Sequence, residues 1–404
     1  MTTPAQCIGN REEAEGFVAL VCFKHGPPVR TGVELEWTVH HRDDPRRPLD
    51  ADVLRAALGA HAPGTLVPDS AHLPLARGSG ITVEPGGQVE ISSAPHESVP
   101  ELLAAVAADA GEVAGLLAAH GLVLGDSGID PYRSPRRVLH TPRYDAMQRF
   151  FDRVGPHGRR MMCGTAALQL CVDAGEERDT AARWRALHSA GPALVALFAN
   201  SPVLAGRSTG WASARLRSTL GMAPPVTGPP DLGDDPAQAW ARLVMEAPVM
   251  CLRRGPGERW DAPPGLTFGA WADGALGRRP TYDDLEYHLS TLFPPVRPRG
   301  HLEVRYLDAQ PGDGWTVPVA LVTALLADRM VVDKVLEATE PAAGRWLAAA
   351  RDGLGDPLVL RAARELTEIG SRSLHLIGLD PGTAARTADR LERALSGHPR
   401  RNSI

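Results

Sequence analysis

Lysine is almost missing from this 404-residue sequence: Lys24 and Lys334 are the only two. Neither completes a G-x-x-x-x-G-K-[ST] loop, which excludes the lysine-based phosphate cradle. Gly78-Ser79-Gly80 lacks the third glycine of a dinucleotide fingerprint, so any nucleotide must be held through a metal ion and arginine. Cysteine is scarce as well. Cys7, Cys22, Cys163, Cys171 and Cys251 are an odd number with no C-x-x-C spacing, and Cys163 and Cys171 read as small buried hydrophobes. No secretory signal precedes them, and Glu12, Glu13 and Glu15 stand where a signal or transit peptide avoids acids; the expectation is a reducing cytoplasm. No apolar run approaches the ~20 residues that cross a bilayer. A stripe of one charge sign is also absent. The formal net charge is -5 with acids and bases interspersed, which argues against nucleic acid or an anionic membrane as partner. His25, His140, His288 and His301 are scattered and no serine or cysteine elbow accompanies them, so nucleophilic hydrolysis is disfavoured.

Apolar residues make up 43% of the chain, enough for a substantial core in one large domain or two ordinary ones. Helical spacing of Ala14, Phe17, Val18 and Val21 predicts a docking helix over about 10–22. Residues 50–58 predict a second, and Ser98-Val99-Pro100-Glu101 opens a long packing helix that stops at His120-Gly121. Further helices are expected over about 180–199 and 236–252, then from the Thr281 cap to Phe293-Pro294, with 223–236 an exposed loop. From about Thr316 the pattern is wholly helical, with Asp356-Pro357 and Asp380-Pro381 each opening a helix. Residues 1–315 are expected to form the catalytic region, 316–396 a helical region packed on the same domain, and 397–404 a disordered tail.

Four segments alternate with a period of two and carry function on one face. Thr31 to His40 sets Val33, Leu35, Trp37 and Val39 against Glu34, Glu36 and Thr38. In Thr82–Ser92, Val83, Val89 and Ile91 oppose Glu84, Gln88, Glu90 and Ser92 around a glycine turn. The stretch after Gly164 sets Leu168, Leu170 and Val172 against Gln169, Cys171 and Asp173, and His301 to Leu307 sets Leu302, Val304 and Tyr306 against Glu303 and Arg305. Such strands make an antiparallel sheet backed by helices, its polar side lining a cleft. Acids aimed at one cleft repel and lose hydration unless a cation or substrate lies between them. Glu34, Glu36, Glu84, Glu90 and Glu303, with Gln88 and Gln169 as neutral oxygen donors, suit Mg²⁺ or Mn²⁺ rather than zinc. Mg²⁺ shares its sphere readily with phosphate oxygens, so phosphoryl transfer follows, with Arg305 placed to neutralise the phosphate. Arg215 and Arg217 read either as solvated surface or as an anion clamp.

Gly32-Val33-Glu34-Leu35-Glu36, Glu84-Pro85-Gly86-Gly87-Gln88-Val89-Glu90, Met161-Met162-Cys163-Gly164-Thr165 and Leu292-Phe293-Pro294 followed by Glu303-Val304-Arg305 together resemble the glutamate-cysteine ligases of the plant and actinobacterial type. Cys22-Phe23-Lys24-His25-Gly26-Pro27-Pro28, Pro142-Arg143-Tyr144 and Gly210-Trp211-Ala212-Ser213-Ala214-Arg215 look like the actinobacterial branch that serves ergothioneine synthesis. The resemblance implies an α+β, glutamine-synthetase-like fold: a curved antiparallel sheet forming a funnel, with helices outside. It implies ATP-dependent phosphorylation of the L-glutamate side chain, then displacement of phosphate by the α-amine of L-cysteine. By the same likeness Glu34, Glu36, Glu84, Glu90 and Glu303 hold two or three Mg²⁺ ions, Gln88 and Gln169 support them or the substrate, and Arg305 meets the phosphate. Arg217, near Trp211, is the candidate for the glutamate α-carboxylate, with Arg215 beside it. Val33 and Ser93 depart from the threonine and glycine common in plant relatives. A ligase for another amine and a catalytically silent binding module remain as rivals.

Overall fold

A computed structural model describes residues 6–233, 235–255 and 257–397; the expected disordered tail lies outside these residues apart from Gly397. The chain opens with α1 (Arg11–Cys22), where the Asn10 side chain accepts the Glu13 N–H as its cap. Next come β1 (Thr31–Trp37) and β2 (Val39–His41). One strand was expected here, but the ladder breaks at Thr38, whose carbonyl accepts Gly125 N–H at 2.7 Å. α2 (Ala51–Leu58) is capped by Asp50. β3 (Gly80–Val83) and β4 (Val89–Ser92) form the acidic hairpin. α3 (Val99–Ala118) starts at its Ser98 cap, and the chain turns at Gly121, φ 69°, into β5 (Leu122–Leu124), which pairs with β2 in a small separate sheet.

Two helices that alternation did not reveal come next, α4 (Pro142–Asp152) and α5 (His157–Gly164). They lead to β6 (Ala167–Val172) and the long α6 (Glu177–Leu197). A short hairpin of β7 (Val203–Leu204) and β8 (Arg207–Ser208) precedes α7 (Ala214–Leu220), α8 (Pro224–Thr227) and α9 (Pro236–Glu246). Residues 223–236 are therefore not simply exposed: Val226 and Thr227 are fully buried. α9 also stops short of the expected 252, because Ala247 turns extended ahead of Pro248. α10 (Phe268–Ala272) and α11 (Tyr282–Leu289), the latter with a reciprocal Thr281–Asp284 capping box, lead to β9 (Val296–Pro298) and β10 (Leu302–Asp308). The remainder is helical: α12 (Thr316–Leu325), α13 (Arg329–Thr339), α14 (Trp346–Asp352), α15 (Pro357–Ser373) and α16 (Pro381–Ser396), the last two capped by Asp356 and Asp380 ahead of proline.

The main sheet has six strands in the order β3-β4-β1-β6-β10-β9, every neighbouring pair antiparallel. Its apolar face carries Val33, Leu35, Val89, Ile91, Leu168, Leu170, Leu302 and Val304, all nearly or wholly buried. α3 packs against β1 and α6 against β10 on the helical side. Each such side chain contributes roughly 1.5–3 kcal/mol when removed from water, which fixes the register and sends the alternate residues to the opposite face. α13, α14 and α15 pack in turn on α6, and one continuous core cluster runs from Ile8 to Leu391. α3 does more than pack. Its Asp109 is fully buried and accepts the N–H groups of Arg77 and Ser79 at 2.7 and 3.0 Å, tying down the loop before β3. Among the described residues no helix is long and apolar enough to cross a membrane.

Candidate active site

Antiparallel register lays the functional side chains out in rows on the polar face. Thr82, Glu90 and Glu36 stand opposite one another across β3, β4 and β1. Ser92, Glu34 and Gln169 form the next row, and Gly32, Cys171, Glu303 and Arg297 the third. Glu84 and Gln88 join from the turn between β3 and β4, closed by Gly87 N–H to the Glu84 carbonyl and Glu84 N–H to the Gln88 carbonyl, both 2.8 Å. Both glycines are required. Gly87 sits at φ 85°, and a Cβ on Gly86 would lie 2.3 Å from the Cys163 carbonyl oxygen.

Glu34, Glu36, Glu84, Gln88, Glu90, Gln169 and Arg305 share one cavity of about 300 Å³. Burial, with Glu90 and Glu303 nearby, pushes the Glu34 carboxyl up to about 8. Glu90 is raised likewise to about 8, chiefly by burial and by Glu36. Glu36 and Glu84 rise to about 7, again by burial first and then by Glu84 and Glu90 respectively. Glu36 accepts Ala167 N–H and Gln169 Nε2, both at 2.8 Å, while Thr82 donates to Glu90 at 2.6 Å. Gln88 donates to the Thr165 carbonyl at 2.9 Å. These donations fix both amide orientations, and they leave Gln88 Oε1 and Gln169 Oε1 buried without a hydrogen-bond partner. Carboxylates that resist ionisation beside orphaned amide oxygens are a donor set short of cations, and an all-oxygen set fits Mg²⁺ or Mn²⁺. Among the described residues no three His, Cys, Asp or Glu side chains are gathered tightly enough to surround one ion. The fit therefore rests on donor chemistry rather than on a ready-made cage.

Glu303 behaves differently. Burial alone would raise it, but Arg297 grips it in a two-pronged ion pair at 2.7 and 3.0 Å and Arg305 adds a third contact, holding it down to about 2. It faces a neighbouring cavity of about 420 Å³ rather than the main one; Glu34 and Arg299 line both. Arg305 lies where β10 bulges: Val304 pairs with Leu170 and Leu307 with Leu168, so Arg305 and Tyr306 together oppose Gln169. Its guanidinium stays charged against the cost of burial because Glu303, Glu34 and Glu36 surround it.

Arg215 and Arg217 stand two residues apart on α7, which at 3.6 residues per turn sets them on roughly opposite faces. Arg217 lies over the Trp211 ring at 4.7 Å, and neither residue lines the main cavity. Arg215 is buried, donates to the Arg305 carbonyl, and forms an ion pair with Asp308 at 3.6 Å, beyond hydrogen-bond distance, so that its Nη1 makes no hydrogen bond. It lines a pocket of about 50 Å³ that also touches Glu36, Gln169 and Arg305. Ser201 and Ser213 donate to Asp308 at 2.7 and 2.9 Å, and Ser213 also caps α7. Sequence reasoning missed Arg297, on a three-residue strand too short to show alternation. It also missed α4 and α5, which carry Arg143, Tyr144, Met147, Met161 and Met162 to the cavity wall. Thr141-Pro142 is a legible helix start, but the polar residues that follow hide the apolar stripe.

A family model described as glutamate-cysteine ligase family 2 matches residues 30–388. Over 85% of its length the chain is 41% identical to the glutamate-cysteine ligase EgtA of Mycolicibacterium smegmatis, covering 80% of that protein. It is 38% identical to the EgtA of Mycobacterium tuberculosis across 96% of this chain and 89% of that one. The chloroplastic glutamate-cysteine ligase of Brassica juncea is 31% identical, with 68% of this chain and 54% of that one aligned. Among solved structures, the Francisella tularensis glutamate-cysteine ligase in complex with AMP superposes with a TM-score of 0.50 at 14% identity, covering 93% of this chain and 83% of that one. It shares the antiparallel-sheet fold. The match spans β1 to α16, and with it all five acidic positions and every strand of the main sheet: the chain belongs to glutamate-cysteine ligase family 2.

Proposed function

We propose that the protein joins the γ-carboxylate of L-glutamate to the α-amine of L-cysteine, with ATP converted to ADP and phosphate, and so supplies γ-glutamylcysteine to ergothioneine biosynthesis. The observation that carries this reading is the convergence of four carboxylates that resist ionisation, Glu90 buried and Glu34, Glu36 and Glu84 half-buried, with a guanidinium at the same cavity. One half of such a site binds cations and the other binds the anion they escort.

Glu34, Glu36, Glu84 and Glu90 would hold two or three Mg²⁺ ions, assisted by the free oxygens of Gln88 and Gln169; such ions, when bound, neutralise the triphosphate. Arg305 faces the transferred phosphoryl group, and Glu303 with Arg297 keeps that guanidinium from folding onto the acids. In the first step the glutamate γ-carboxylate oxygen attacks the terminal phosphorus of ATP and ADP leaves. In the second, the cysteine nitrogen attacks the γ-carbonyl carbon, phosphate leaves, and the amine proton passes to the departing phosphate. Arg215, rather than Arg217, is assigned to the glutamate α-carboxylate, because its Nη1 is buried without a hydrogen bond at a pocket touching Glu36 and Arg305. The neighbouring cavity, which meets the main one at Glu34 and carries Arg30, Arg299 and His301, takes the nucleoside end of ATP. All five cysteines are unpaired, which suits a reducing cytoplasm.

ADP release measured with glutamate, with and without cysteine, tests the reading. Release that rises with cysteine and matches γ-glutamylcysteine formed supports it. Release driven by another amine and indifferent to cysteine refutes it.

A further inference from the structure

A second cavity of about 300 Å³ shares no lining residue with the main one, yet the acidic turn stands between them. Glu84, Pro85 and Gln88 line the main cavity while Gly86 lines the second; likewise Met162 and Thr165 belong to the first and Cys163 to the second. The loop that walls the second cavity also supports the turn. Val138 and Leu139 donate their N–H groups to the Pro85 carbonyl at 2.8 and 3.0 Å, and a Cβ on Gly87 would meet Leu49 at 2.7 Å and Val138 at 3.4 Å. Three guanidiniums, those of Arg46, Arg133 and Arg136, line this cavity against a single carboxylate, Asp130. That carboxylate is already committed. It accepts the backbone N–H groups of Tyr132 and Arg133 at 2.9 and 3.0 Å and Arg133 Nε at 2.8 Å, and lies 3.2 Å from His40 Nε2. Arg133 is fixed in turn, since its Nη2 donates to the Val39 carbonyl at 2.7 Å. Arg46 and Arg136 are exposed, and among the described residues no ion pair holds either; Asp44 accepts only the backbone N–H of Arg46. Their sequence neighbours Arg47 and Arg137 do have acids, Asp43 and Asp145.

We infer that this cavity is an effector site for a small phosphate monoester, its dianionic head among Arg46, Arg133 and Arg136, and that occupancy steadies the turn carrying Glu84 and Gln88. The excess of two positive charges calls for a dianion, and a phosphate monoester is one at neutral pH, with three oxygens for three guanidinium forks. The rest of the lining is apolar or aromatic, chiefly Leu49, Val138 and Tyr132, which suits a compact organic body on that head. A dicarboxylate offers the same charge with poorer matching to three forks. Coupling to the turn follows from the shared wall. An anion that joins Arg133 and Arg136 to Arg46 braces the loop whose Val138 and Leu139 amides hold the Pro85 carbonyl, so any opening of the turn that moves this loop must first release the ligand.

Calorimetric titration of the full chain with phenyl phosphate, phthalate and benzoate tests the site, since the three carry different anions on one ring. Phenyl phosphate is expected to bind at least about 10-fold tighter than the monoanion benzoate. Arg46→Met and Arg136→Met are each expected to weaken it by roughly 3- to 10-fold, less than a buried charged hydrogen bond because both residues are exposed. Neither side chain lines the main cavity or supports the core, so both variants should fold, and phosphate captured by the main cavity would be indifferent to them. Binding unchanged in both variants, or benzoate as tight as phenyl phosphate, would overturn the site. Phthalate binding the tighter would overturn the phosphate ester in favour of a dicarboxylate. Hydrogen exchange reads the coupling at the Glu84 and Gly87 amides, both bonded within the turn. With phenyl phosphate at ten times its Kd their exchange should slow by up to about 10-fold, and unaltered exchange would overturn the effector role. No arm uses ATP or cysteine, so failure of the ligation reading leaves every one of these results standing.

Discussion

The four cavity carboxylates make the metal-free protein sensitive to alkali in a way that can be calculated. Their carboxyls titrate at about 7 to 8 in the fold, against an ordinary value of 4.5. Between pH 4.5 and about 8 the folded chain therefore keeps protons that the unfolded chain has already lost, and stability falls as pH rises. Each group still protonated in the fold contributes a slope of up to about 1.4 kcal/mol per pH unit. Glu34 and Glu90 supply this near-full slope to about pH 7.5, and Glu36 and Glu84 lose it sooner. The fully buried His188 and His288, lowered by desolvation to about 4, act with the opposite sign. The unfolded chain protonates them first, so they remove stability as pH falls from 6.5 toward 4. Above pH 6.5 most of that effect is spent, and from 6.5 to 8 the glutamates dominate. Urea unfolding across that window is expected to show the chelated protein losing about 4–5 kcal/mol. Mg²⁺ replaces the protons, so the stabilisation it gives should grow with pH, and Glu34→Gln should flatten the chelated profile by about one group's share. Mg²⁺ stabilisation of equal size at pH 6.5 and 8, with the Glu34→Gln profile unchanged, would refute the reasoning.

Arg305→Lys keeps the charge but loses the planar fork, so kcat should fall by more than the glutamate KM rises; steady-state kinetics showing only a KM change would move Arg305 to substrate recognition. Arg215→Met should raise the glutamate KM by 10-fold or more, roughly the value of a charged hydrogen bond, while Arg217→Met changes it by less than about 3-fold; the reverse order in the same assay would restore the Arg217 assignment. Gly86→Ala forces a methyl group against the Cys163 carbonyl and displaces Glu84 and Gln88 together, so turnover should fall by at least about 100-fold and Tm by several degrees. Wild-type turnover in that variant would show that the turn tolerates a shift.

The acidic strands were legible because burial of one face writes a period of two into the sequence, and Val33-Glu34-Leu35-Glu36 and Val89-Glu90-Ile91 carry that period without interruption. The helix caps at Asn10, Ser98, Thr281, Asp356 and Asp380 were legible for a local reason, since each bonds to backbone within its own first turn. What stayed hidden depends on contacts distant in sequence. Glu303 carries the same local pattern as Glu34, yet Arg297 on β9 captures it, and nothing in the alternation of β10 announces a partner on so short a strand. The bulge at Arg305 and Tyr306 arises from pairing with β6. Arg215 and Arg217 are interchangeable as letters; only the placement of α7 sends one inward and stacks the other on Trp211. The methionine wall belongs to helices whose polar residues mask their apolar stripe.

The two-pronged grip of Arg297 on Glu303 has a consequence for the resting enzyme. Opposite charges facing each other across an empty cleft tend to collapse together, and an Arg305 free to swing would quench the acids near it and close the site to its ligands. Glu303 acts as a tether: it occupies one side of the Arg305 guanidinium with a partner already neutralised from behind by Arg297. The guanidinium is thereby held in place and charged beside Glu34 and Glu36, so an arriving anion meets a donor already set.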